Sequence, residues 1–207
     1  MAVDLSALLA PPQAALVANE CQRGVIGDHS LLPELARAAA PVVPAIARLA
    51  AAARRAGVLV VHTTAVRRAD GRGSNQNARL FMATRRSPEP MVPGTPQAEI
   101  VPEIGVAESD LVLPRMHGLS PMSGTELDPV LRNLGVRTIV AVGVSVNVAI
   151  ANLVFDAVNA GYQVVVPRDA VAGLPPSYVD AVFEHTLGLL ATVTTTAGVV
   201  RVWDAAA

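Results

Sequence analysis

Five polar side chains with chemistry to offer stand where apolar runs of this sequence end. Glu20 follows Ala14 to Asn19, His62 sits near the close of Val58 to Thr63, and Arg115 follows Asp110-Leu-Val-Leu-Pro. Ser145 and Asn147 come just after Ile139 to Gly143. A carboxyl whose pKa is pushed up by burial at a strand end can give or take a proton. Arginine stays protonated, so it clamps a carboxylate but does not readily relay a proton. A histidine in such a place can bind or polarise a substrate, or be a satisfied structural ring. Ser145 or Asn147 can cap a helix whose first N–H groups face whatever lies above the strand.

These residues need elements that bring them together. Ile139 to Val142 is a continuous, β-branched apolar run, as expected of a parallel strand covered on both faces, and Gly143 ends it. Ala14 to Asn19, Val58 to Thr63, Asp110 to Arg115 and Val164 to Pro167 read as further strands, with Thr192 to Thr194 and Val199 to Val202 finishing the sheet edge. Helical spacing marks Val43 to Ala56, stopped by Gly57. It also marks Leu127 to Leu134, capped by Thr125, and Val146 to Ala160, apolar nearly all round. A last helix is expected from a Ser177 cap to about Leu190. Between Arg67 and Glu108 the pattern dissolves, with a short helix expected over Asn75 to Ala83; an irregular stretch of that length usually covers a site or a partner subunit. Open α/β sheets bind ligands in the crevice beyond the strand ends.

Composition narrows the function classes. A chain of 207 residues, 52% apolar and with a net charge of −1, suits one domain with a sizeable core, and residues 1–207 are read as a single domain. The arginine pairs Arg54-Arg55, Arg67-Arg68 and Arg85-Arg86 read as solvated faces and make no electrostatic case for nucleic acid. All sixteen basic side chains are arginine, with no lysine anywhere. The single Cys21 excludes an intramolecular disulfide and a cysteine-based zinc site, and reads as a small buried hydrophobe. No run suggests a membrane span and no signal peptide is visible, so a cytoplasmic protein without membrane partners is expected.

The run Gly143-Val-Ser-Val-Asn-Val-Ala149, its apolar helix, and Gly161-Tyr-Gln-Val-Val-Val-Pro-Arg-Asp-Ala170 together resemble the signature of the isochorismatase-like hydrolases, the cysteine hydrolase superfamily. The similarity covers nearly the whole chain. It implies a three-layer α/β/α sandwich with a mainly parallel six-stranded sheet in the order 3-2-1-4-5-6, and a homodimer or homotetramer. It also implies a cis peptide at Val144–Ser145. The family's triad is an aspartate, a lysine and a nucleophilic cysteine. Here the cysteine position is Ala149, the aspartate position Glu20, and the lysine position Arg115 or Met116, while Gln22 keeps the family's glutamine. His117 lies in the segment resembling the family's post-lysine loop. Nicotinamidases of this superfamily carry an aspartate and several histidines for a metal; only His62 is near, so neither a metal nor another cofactor is expected.

In the amidase members a cysteine thiolate attacks the carbonyl, which Ala149 removes. Isochorismatases resemble this chain in lacking the cysteine, because vinyl-ether hydrolysis begins with protonation of the vinyl carbon. The resemblance thus implies Glu20 as acid, with Arg115 holding an anion. His62, His117, Gln22, Ser145, Asn147 and Ala149 are the expected substrate-binding positions, and the ligand a small, anionic molecule. Three readings stay open: a cysteine-independent hydrolase, a non-catalytic binding or scaffold protein, or another reaction in the same pocket.

Overall fold

The computed structural model describes residues 4–85 and 89–207; the second residue of the Arg85-Arg86 pair therefore lies outside the described residues. Among the described residues seven strands form one parallel sheet: β1 Ala14–Asn19, β2 Leu59–Ala65, β3 Leu111–Arg115, β4 Thr138–Val144, β5 Gln163–Pro167, β6 Val171–Ala172 and β7 Thr192–Thr194. Their order is β3-β2-β1-β4-β5-β7, with the two-residue β6 paired to the end of β4. The expected 3-2-1-4-5-6 path is this one, its sixth strand becoming the seventh once β6 is counted.

Strand pleating sorts the core into two layers. In β1, Leu16 and Ala18 join Ile46, Leu49 and Trp203 on one face, while Ala15 and Val17 join Leu131, Ile150 and Leu153 on the other. In β4, Val140 and Val142 go with the first set, Ile139 and Ala141 with the second. Every residue of β1 and of β4 is buried, as the continuous apolar runs require. Truncating one of these fully buried side chains, such as Leu16→Ala, costs about 2–5 kcal/mol.

The Val43–Arg55 helix covers the first face. Gly57, at φ 70, takes the left-handed turn that ends it. The Leu127–Asn133 helix lies on the second face, where the Thr125 hydroxyl accepts the Leu127 amide as the sequence suggests. The Arg79–Arg85 helix falls later than the expected Asn75 to Ala83.

Two expectations are corrected. Val199 to Val202 is not a strand but part of the Thr196–Asp204 helix. Thr195 caps it by accepting the Gly198 amide, and Val199 and Trp203, four residues apart, both go fully into the first core layer. The Pro176–Val182 helix starts from Pro175 rather than from a Ser177 cap, because Pro176 needs no N–H partner at the first helical position.

Candidate functional site

Parallel pairing brings the chemistry-bearing residues to one edge. Asn19 is in register with Thr63 and with Gly143, and Ala65 with Arg115. The backbone turns sharply on both sides of Asn19. Glu20 has φ 52, which ends the strand alternation and re-aims its side chain. Gly143 has φ 105, and a Cβ there would stand 2.2 Å from the Asn19 carbonyl oxygen, so only glycine lets β4 pass β1 this closely. The next peptide, Val144–Ser145, is cis, as the resemblance implies. The Asn19 amide donates to the Val144 carbonyl, and its oxygen accepts from the Thr63 hydroxyl at 2.9 Å. Asn19 thus joins the ends of β1, β2 and β4. It was not singled out in the sequence, although a polar residue closing an apolar run beside Glu20 is a visible signal.

Above this edge opens a cavity of about 890 Å3. Of the expected site residues, Glu20, Arg115, His117, Ser145, Asn147 and Ala149 line it. Met116, the other position weighed for the family's lysine, lines it too. Arg115 donates from Nη2 to the Glu20 carboxylate and from Nη1 to the Gly118 carbonyl at 2.6 Å, whereas its buried Nε has no hydrogen-bond partner among the described residues. Burial pushes the Glu20 carboxyl above its ordinary value; the charge and hydrogen bond of Arg115, and Asn19, pull the other way without cancelling it. On the opposite wall Ser145 leads a π-turn, Val146–Ile150, that continues as Ala151–Asn159. Its carbonyl takes up the amides of both Val148 and Ile150, at 3.0 and 3.1 Å. Those two first-turn donors are therefore already committed. The Ser145 hydroxyl makes a 3.2 Å bond to Asn147 Oδ1, and Ala149 presents only a methyl group.

Gln22 and His62 are not among the cavity residues, and both are corrected to structural roles. Gln22 is fully buried: it donates to the Ala65 and Ala98 carbonyls and accepts the Ala65 amide at 2.8 Å, clamping β2 to the irregular stretch. His62 is also fully buried, its Nε2 at 3.1 Å from Asp110 Oδ2. Asp110 further accepts from Arg54 Nε and Nη2 and from the Ala107 amide. Burial works against the Asp110 charge, yet these donors together hold its carboxyl below the ordinary carboxylate value. His62 is lowered too, below 6.5, chiefly by burial, which outweighs the hydrogen bond and charge of Asp110. The sequence reading placed Asp110 at the start of the third strand and gave it no role of its own.

Cys21 behaves as a hydrophobe. It is fully buried, its Sγ lies 3.6 Å from the Asn19 carbonyl, and burial, helped by the Glu20 charge, pushes its thiol up to about 12. Such a thiol does not ionise at neutral pH. Among the described residues, no single helix is long and apolar enough to cross a membrane.

The isochorismatase domain family matches residues 14–198. Over 188 residues the chain is 29% identical to the ureidoacrylate amidohydrolase RutB of Klebsiella variicola, covering 84% of this chain and 79% of that protein. It is 33% identical over 153 residues to a probable inactive nicotinamidase of Arabidopsis thaliana, covering 72% and 73%. A shorter match, 36% identical over 75 residues, spans 36% of this chain and 39% of YwoC, an uncharacterized isochorismatase family protein of Bacillus subtilis. In fold, the chain superposes on a cysteine hydrolase of Pseudomonas syringae with a TM-score of 0.83 at 23% identity, covering 94% of each. Domain match, sheet order and fold agree: the chain belongs to the isochorismatase family of hydrolases.

Proposed function

We propose that this protein hydrolyses a small anionic molecule without a cysteine nucleophile, using Glu20 as general acid and base. The observation that carries this reading is the Glu20 carboxyl, raised by burial on the cavity wall and held by one arginine. The thiol route has no support here, since Cys21 is buried away from the cavity and position 149 carries a methyl group.

Binding and proton supply are coupled in this arrangement. A substrate carboxylate that pairs with Arg115 draws the guanidinium away from Glu20. Glu20 then loses the cation that opposes its protonation, and its carboxyl takes up a proton. For an enol ether, Glu20 delivers that proton to the terminal vinyl carbon. The oxocarbenium formed adds water, the proton lost by that water returns to the Glu20 carboxylate, and the hemiketal splits into an alcohol and a ketone. This route favours vinyl-ether over amide hydrolysis, because no covalent adduct is needed. Ureidoacrylate, in the name of the RutB relative, is likewise an anion and belongs among the candidates.

The test is turnover of isochorismate, ureidoacrylate and nicotinamide by the protein and by Glu20→Gln. Turnover of isochorismate that drops by ~100-fold or more in the variant is expected. The rate should also fall as pH rises through the raised Glu20 value, since the acid must be protonated. No turnover by either protein would move the reading to a binding protein that has lost its chemistry. That second reading has one observation behind it: the Glu20–Arg115 pair is closed on itself and on the Gly118 carbonyl. The probable inactive nicotinamidase among the relatives is in keeping with it.

A further inference from the structure

The cavity lining is mixed. Glu20, Arg115, Ser145 and Asn147 stand in it beside Glu34, Arg67, Asp70 and Arg72, and a further set of apolar side chains comes from segments far apart in the chain. Leu32 precedes the Pro33–Ala39 helix, Leu80 and Phe81 belong to the Arg79–Arg85 helix, and Met91, Met116 and Leu174 come from three further loops. Three of these are large apolar side chains left open to water: Leu32 is 37% exposed, Leu80 42% and Met116 49%. Isolated exposed apolar residues need no explanation, but their convergence from separate segments onto one concavity marks a surface that something apolar covers. The size agrees. About 890 Å3 lies near the upper end of the ~300–1,000 Å3 typical of sites for drug-sized ligands, and a molecule the size of nicotinamide would leave most of it to water.

We propose that the substrate is amphipathic: a small carboxylate-bearing head that reaches Arg115 and Glu20, and an extended aliphatic or aromatic part seated on Leu32, Leu80, Phe81, Met91, Met116 and Leu174. The inference rests on reading this cavity as a substrate site, and it names the class of substrate. Glu20 and Arg115 set what is recognised and transformed; the apolar side chains add affinity in proportion to the apolar area they take from water.

The test reads binding without turnover, by calorimetry with straight-chain carboxylates from acetate to decanoate, each below its micelle concentration. Affinity is expected to rise by about fourfold per methylene over the middle of the series. Leu80→Asn and Met116→Asn, both at half-exposed positions where folding is little disturbed, should weaken decanoate by ~5-fold and leave acetate unchanged. Val106→Asn, an exposed apolar position outside the cavity, should change neither. An affinity independent of chain length, or decanoate binding indifferent to both variants, overturns the proposal. A flat series in which Leu80→Asn also lowers the mass seen by light scattering would overturn it in favour of a second copy of this chain covering these apolar side chains. The two readings fail separately. A protein that binds decanoate but hydrolyses nothing loses only the acid mechanism, and one that turns over isochorismate with no chain-length preference loses only the apolar contacts.

Discussion

Glu20 and Asp110 are both carboxylates largely withdrawn from water and paired with arginine, yet burial ends in opposite protonation tendencies for the two. Asp110 receives four donors: two from Arg54, the Ala107 amide and the His62 ring. Glu20 receives Arg115, which shares itself with the Gly118 carbonyl, and a smaller contribution from Asn19. Desolvation raises both carboxyls; the four donors outweigh it at Asp110, whereas Arg115 and Asn19 do not at Glu20. The lesson is that an ion pair on a list of contacts says little about function until its donors are counted. A saturated carboxylate holds structure, and an under-supplied one beside a cavity is available for a proton or a ligand.

The comparison can be broken at either side. The largest effect should come from Glu20→Gln in catalysis, the ~100-fold or greater loss already described, with retained helical circular dichroism showing that the fold survives. An equal loss of activity in Asp110→Asn with its fold intact would abolish the distinction. Asp110→Asn should instead act on stability, by about 3 kcal/mol in urea unfolding, since it leaves the Arg54 charge with a neutral partner in a mostly buried place. Decanoate affinity should not follow it.

A smaller effect lies in pH. His62 has a folded pKa below the ordinary 6.5, so between those two values the unfolded chain binds more protons than the native one. Its contribution is complete above the unfolded value and lost as pH falls through 6.5 toward the folded value, with a slope of up to about 1.4 kcal/mol per pH unit. Glu20 works the other way. Its folded value is raised, so the native state binds more protons there, and stability falls as pH climbs from 4.5 toward the folded value. Urea unfolding from pH 7.5 to 5.5 in the Glu20→Gln background removes that opposing slope. A flat profile would mean that the His62 pKa does not shift on folding, and stability rising as pH falls would mean that His62 is protonated against Asp110 in the native protein.

Much of the scaffold was legible because its signals are local. Ala14–Asn19 carries its own boundaries, an apolar run ended by polar residues, and Gly57 and Gly143 announce the turns that use them. The run Val199-Val-Arg-Val-Trp203 was not legible in the same way. Short β-branched runs suit strand and helix alike, and the decision came from Val199 and Trp203 packing together, with the Trp203 ring nitrogen donating to the Leu9 carbonyl at 3.1 Å. The site divides along the same line. Glu20 and Arg115 close apolar runs, and Ala149 follows the Gly143 turn, all of them local signals. His62 and Gln22 carried the right chemistry, but their partners are Asp110, Ala65 and Ala98, at separations no local pattern encodes. The apolar part of the cavity lining is less legible still, because one helix and several loops far apart in the chain assemble it.

The turn at Glu20 has one more consequence, concerning what this position costs the chain. At φ 52 a side chain with a Cβ pays roughly 1–2 kcal/mol that glycine would not. Ala and Gly at position 20 both abolish the pair with Arg115, so they differ by the backbone alone, and Glu20→Gly should unfold at higher urea than Glu20→Ala by about 1 kcal/mol. At this one residue, selection for a sturdier fold and selection for a carboxyl in the cavity pull in opposite directions.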